Sequence, residues 1–73
     1  MSIEMRTLSA RETQVMQLVV LGKSNREIGY TLKIAEHTVE KHMASVFRKL
    51  AVNNRTSAAL AFLVQTPHTG NPP

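Results

Sequence analysis

The stretch SNREIGYTLKIAEHTVEKHMASVFRKL, Ser24 to Leu50, decides the fold. Ser24 followed three residues later by Glu27 is a capping box, the signature of a helix start. Ile28 and Leu32 lie one turn apart and form the inner side of a short helix that stops near Lys33. A longer helix then begins close to Glu36 and runs to about Leu50. Its Val39, Met43, Val46 and Leu50 sit at i, i+4, i+7 and i+11, one apolar stripe. Only about three residues, Lys33-Ile34-Ala35, separate the two. A short helix, a tight turn and a longer helix form a helix-turn-helix unit. Such turns often hold glycine, but here the glycine is Gly29, inside the short helix, where it costs roughly 0.5–1 kcal/mol relative to alanine. Close approach of the next helix over Gly29 accounts for it.

The same signals recur on both sides. Ser9 with Glu12 is a second capping box, followed by apolar Val15, Met16, Leu18 and Val19 and ended by Gly22. Asn54 caps a fourth helix that ends before Pro67. No stretch alternates apolar and polar residues with the period of a strand. The expected fold is therefore all-α, a compact four-helix helix-turn-helix domain over residues 8–65. Residues 1–7 are expected to form a flexible N-terminal segment, and 66–73, rich in Pro, Gly and Asn, a disordered tail.

Composition excludes several classes. The 73 residues make one small domain, and without cysteine no disulfide supports it. The longest apolar run, ALAFLV from Ala59 to Val64, is far short of the roughly 20 residues of a membrane span, and the N-terminus lacks the apolar stretch of a signal peptide. A soluble, cytoplasmic protein with no membrane partner is expected. EHTVEKH, Glu36 to His42, resembles a zinc motif only superficially. His37 and His42 are five apart, so they diverge by roughly 140° around the helix and cannot share an ion. No metal site, no cofactor and no catalytic residue set is expected.

The net charge of +4 is concentrated. Between residues 23 and 55 stand Lys23, Arg26, Lys33, Lys41, Arg48, Lys49 and Arg55 against Glu27, Glu36 and Glu40, whereas Arg6 and Arg11 offset Glu4 and Glu12. A basic segment in a small domain points to a polyanion. On the third helix the face opposite the apolar stripe carries His37, Lys41, Ala44 and Arg48, with small Ala44 permitting close approach. One flank carries Thr38, His42, Ser45 and Lys49, the donor types that hold phosphate oxygens. The other flank carries Glu40 and Phe47. The pattern is that of a helix reading duplex DNA in the major groove.

Gly22 to Ile28 (GKSNREI), Thr38 to His42 (T-V-x-x-H) and Lys49 to Arg55 (K-L-x-V-x-x-R), set in order within Leu8–Ala59, resemble the DNA-binding domain of LuxR/FixJ-type (GerE-type) bacterial transcription regulators. The resemblance implies that helix three is the recognition helix and that helix four forms a dimer contact. It assigns base contacts to Glu40, Lys41 and Ala44, to which the facing pattern adds Arg48. It assigns phosphate contacts to Thr38, His42 and Lys49, with Asn25 and Arg26, and the flank pattern adds Ser45. Ala35 stands where the family usually has a Ser or Thr cap, Glu40 where Lys is frequent, and Gly29 where Ala is usual. Glutamate can accept from cytosine N4, so Glu40 implies an altered base preference. Arg55 is left between a phosphate contact and an ion pair with Glu12.

Helix four is apolar nearly all round. Ala59, Phe62 and Leu63 are expected to face the core, leaving Leu60, Ala61 and Val64 as a homodimer surface. The expected partners are double-stranded DNA, a second copy and RNA polymerase. The rival reading is a protein-interaction helix-turn-helix module, sigma-factor-like or a co-regulator, without its own DNA site. Both a free-standing effector and a piece of a longer regulator fit these residues.

Overall fold

The computed structural model describes residues 7–65. The expected loose segment 1–7 falls outside them except for Thr7, and the expected tail 66–73 lies wholly outside. Four helices follow in order: α1 Ala10–Val20, α2 Asn25–Leu32, α3 Glu36–Leu50 and α4 Arg55–Gln65. No strand occurs among the described residues.

Each start has a local cause. Ser9 and Ser24 both close complete capping boxes: the N3 amide donates to the serine oxygen at 3.1 Å, and the serine amide donates to the N3 glutamate at 2.8 Å. The backbone bond also holds the Glu27 carboxyl below its ordinary value. Asn54 caps α4 by accepting from the Ser57 amide at 2.8 Å. α3 begins at Ala35 without a side-chain cap, and acidic Glu36 lies in its first turn, where it complements the helix dipole.

The helix ends repeat one device. The amides of Lys23, Ile34 and Val52 each donate to a carbonyl five residues back, on Leu18, Gly29 and Phe47. This closure places the residue before each donor in a left-handed conformation. At the first end that residue is Gly22, with φ +88°; at the others it is Lys33, with φ 61°, and Ala51, with φ 58°. The helix-turn-helix turn thus closes on a lysine, and glycine serves it from elsewhere. A Cβ on Gly29 would stand 2.7 Å from the Ile34 carbonyl oxygen and 3.4 Å from the Glu36 amide. The expected close approach exists, and its partner is mainly the backbone of the turn rather than the body of α3.

α3 is the hub and packs against all three other helices. Its predicted stripe, Val39, Met43, Val46 and Leu50, is buried and meets Val15, Met16 and Val19 from α1, Ile28 from α2, and Ala58 and Phe62 from α4. Leu18 and Leu32 pack half-buried at the margin. α4 is rotated relative to the expectation. Ala58, not Ala59, takes the fully buried place, Ala59 and Ala61 are half-buried against the core, and Leu63 is exposed. A helix apolar on every side has no periodic signal from which its rotation could be read.

Ala51 is exposed and left-handed. That conformation costs an L-residue roughly 1–2 kcal/mol, part of which glycine would lose again through unfolded-state entropy. Ala51→Gly is therefore expected to stabilise the domain by about 0.5–1 kcal/mol. Urea unfolding should show a higher midpoint with an unchanged slope, and an unchanged or lower midpoint would count against this account of the α3 end.

Candidate nucleic-acid interface

Opposite the buried stripe, α3 presents His37, Lys41, Ala44 and Arg48 exposed to solvent, with Glu40 exposed at their edge. Ala44 lies between the two long cations and leaves a gap where the helix backbone can approach a flat or grooved surface. His37 Nδ1 and Glu40 Oε1 are 3.5 Å apart, and both side chains are exposed. The pair attracts only when the imidazole is protonated, and it holds neither residue firmly. Thr38, His42, Ser45 and Lys49 form the flank and are half-buried. The front and flank read from periodicity thus differ in solvation as well as direction.

Two members of the flank have partners inside the domain. Glu12 of α1 is buried, with 6% of its surface exposed. Its Oε2 accepts from the Ser45 hydroxyl at 2.6 Å, and its Oε1 accepts from Lys49 Nζ at 2.9 Å and from the Ser9 amide at 2.8 Å. Ser45 spends its only proton here, so it cannot simultaneously donate to a phosphate. The partner of Glu12 is therefore Lys49, and the alternative pairing with Arg55 does not occur. Burial alone would raise the Glu12 carboxyl; the Ser45 hydroxyl, the Lys49 ammonium and the Ser9 amide outweigh it and lower the value from 4.5 to about 2.

Arg55, the first residue of α4, instead donates from Nη1 to Asn25 Oδ1 at 2.7 Å and from Nη2 to the Lys23 carbonyl at 2.6 Å. Asn25 is the first residue of α2, beside exposed Arg26. The amides opening a helix have no partner within it, so this end favours anions. Neither the second task of Glu12 nor the link from Arg55 to Asn25 has a sequence signature. The paired residues are 30 or more positions apart, and no short-range pattern joins them.

On α4, Leu60 and Val64 are 60% and 81% exposed, and Leu63 is 46% exposed. The outward apolar strip is therefore Leu60, Leu63 and Val64, with Ala61 turned partly into the core. Among the described residues, no helix is long and apolar enough to cross a membrane.

Residues 6–62 match the family model described as bacterial regulatory proteins, luxR family. The chain belongs to the luxR family. The transcriptional regulatory protein DegU of Brevibacillus brevis is 45% identical over 53 residues, covering 73% of this chain and 22% of that protein. The CsgBAC operon transcriptional regulatory protein of Escherichia coli K12 is 42% identical over 57 residues, covering 78% of this chain and 26% of that protein. The solved structure of the transcription factor GerE superposes with a TM-score of 0.74 at 38% identity, covering 78% of this chain and 85% of that one. The chain spans about a quarter of the length of the curated relatives it matches. As a luxR-family unit it is a helix-turn-helix DNA-binding domain of the transcription-regulator type, and these relatives are regulators, not enzymes.

Because the folded Glu12 carboxyl titrates below its unfolded value, its contribution to stability is complete above about pH 4.5. It is lost as pH falls towards about 2. The span corresponds to on the order of 3 kcal/mol. Acid titration of the unfolding free energy should fall steeply through this window in the parent and much less steeply in Glu12→Gln, which should also be less stable at pH 7. Equal slopes would mean that another carboxylate dominates acid unfolding.

Proposed function

We propose that the domain binds duplex DNA with α3 in the major groove, as one half of a homodimer formed through α4, in a cytoplasmic transcription regulator. The observation that carries this reading is the solvent-facing row Lys41, Ala44 and Arg48 on the side of α3 opposite its buried stripe, in a luxR-family domain. Lys41 and Arg48 are the base-edge donors, Ala44 allows the approach, and Glu40 accepts from an exposed base amino group such as cytosine N4. Thr38, His42, Asn25 and Arg26 hold phosphates and set the register of the helix on the duplex. Ser45, whose one proton goes to Glu12, holds the helix instead of the DNA backbone, while Lys49, also bound to Glu12, stays among the phosphate contacts. Leu60, Leu63 and Val64 supply the dimer contact, because an exposed apolar strip gains most by burial against a copy of itself. Two domains related by a two-fold axis would read half-sites about one DNA turn apart. RNA polymerase is the further partner such a regulator would engage.

Binding should weaken steeply with salt, each neutralised phosphate adding about −0.9 to the slope of log K against log salt. Lys41→Ala should reduce affinity for the preferred site more than for random duplex, since a good base contact is worth roughly 1–3 kcal/mol. His42→Ala should weaken both duplexes alike. Equal loss ratios for the two variants would refute the division into front and flank, and no binding even at low salt would favour the protein-interaction module.

Leu60→Glu or Val64→Glu should leave the helical circular dichroism intact yet abolish cooperative binding to a two-half-site duplex. Sedimentation on DNA should then give one domain per duplex. Retained cooperativity would remove α4 from the dimer contact.

A further inference from the structure

The fold uses Arg55 in a way that DNA contact by α3 does not explain. Its guanidinium bridges the carbonyl of Lys23 in the α1–α2 loop and the side chain of Asn25 at the start of α2, while its own backbone opens α4. A guanidinium has donors and no acceptor, so only the carbonyl oxygen of the Asn25 amide can face it. The chemistry of Arg55 thereby decides the orientation of the amide. The Asn25 nitrogen, with both its protons, must point the other way. It makes no hydrogen bond to another described residue, and no buried polar side-chain atom is left without a partner, so this nitrogen on half-buried Asn25 is not fully buried and solvent reaches it. It sits at a helix start where the Asn25 and Arg26 amides also have no intrahelical acceptor.

We propose that Arg55 is a positioning residue for DNA binding: by holding Asn25 Oδ1 it turns the Asn25 Nδ2 protons outward to a backbone phosphate oxygen. The assignment rests on the DNA-binding reading above and deepens it. A planar fork suits this task because its two parallel donors hold the amide oxygen and the loop carbonyl at fixed angles, which a flexible single donor does not. The same bridge ties the first residue of α4 to the first residue of α2.

The experiment is a double-mutant cycle on the 73-residue chain, with Arg55→Gln, Asn25→Ala and the double variant titrated against one duplex over a range of salt. Each single change should weaken binding roughly ten- to a hundredfold, the size of one hydrogen bond to a charged group. The double variant should be no weaker than either single. Arg55→Gln should keep the parent slope of log K against log salt, because the lost contact comes from a neutral amide and releases no counterion. A direct Arg55–phosphate contact would reduce the slope by about 0.9 instead. Without DNA, the Asn25 side-chain amide resonances of Arg55→Gln should move towards those of an exposed asparagine. If Arg55→Gln proves too unstable to titrate, Asn25→Ala alone must still lose affinity at constant slope. Additive losses, a lowered slope for Arg55→Gln, or parent-like binding by Asn25→Ala would each overturn the assignment while leaving DNA binding in place. Failure of the parent chain to bind any duplex would instead remove the reading on which it rests.

Discussion

The buried carboxylate of Glu12 is the constraint on which the arrangement of the domain depends. One oxygen completes the capping box of α1 through the Ser9 amide and receives the Lys49 ammonium; the other receives the Ser45 hydroxyl. A charge this well buried is tolerable only when its acceptor sites are filled, so the three donors must stay where they are. Two of them are on α3, one turn apart. The rotation and height of α3 relative to α1 are therefore defined by directed bonds as well as by the non-directional packing of Val15, Met16 and Val19 on Val46 and Leu50.

The same bonds sort the surface of α3. Ser45 and Lys49 are drawn down against α1, and that leaves Lys41, Ala44 and Arg48 as the row that meets solvent without competition. Glu40 and His37 border this row as a loose pair. A recognition surface benefits from such a division, because the residues that fix the helix are separate from those that must give up water to meet a ligand. Substitution on the outer row can then change the solvent-facing surface with little effect on how the helix is held.

α4 follows a different logic. Its own sequence does not define a face, and its start is pinned by Arg55 to Asn25 and to the Lys23 carbonyl. With position 55 turned inward, Ala58 and Phe62 follow at i+3 and i+7 and become the core residues. Leu60, Leu63 and Val64 are left outside. A polar anchor at one end of an apolar helix thus selects which hydrophobic residues the domain buries and which it leaves exposed.

The helices themselves were legible because their signals are local. A serine with a glutamate three residues on, a four-residue apolar stripe at helical spacing, and Gly22 or Asn54 at an end all act within one or two turns of the chain. For the same reason the outward row of α3 could be read directly, since periodicity alone fixes which residues oppose a buried stripe. The tertiary structure alone decided that Lys49 and Ser45 belong to Glu12, that Arg55 belongs to Asn25, that Gly29 yields its Cβ space to the Ile34 carbonyl, and that α4 turns Ala58 inward. All but the Gly29 contact join residues distant in sequence, and that contact depends on how tightly the turn closes. Their geometry follows from how four helices dock, a long-range compromise among burial, charge satisfaction and backbone contact that no local pattern encodes.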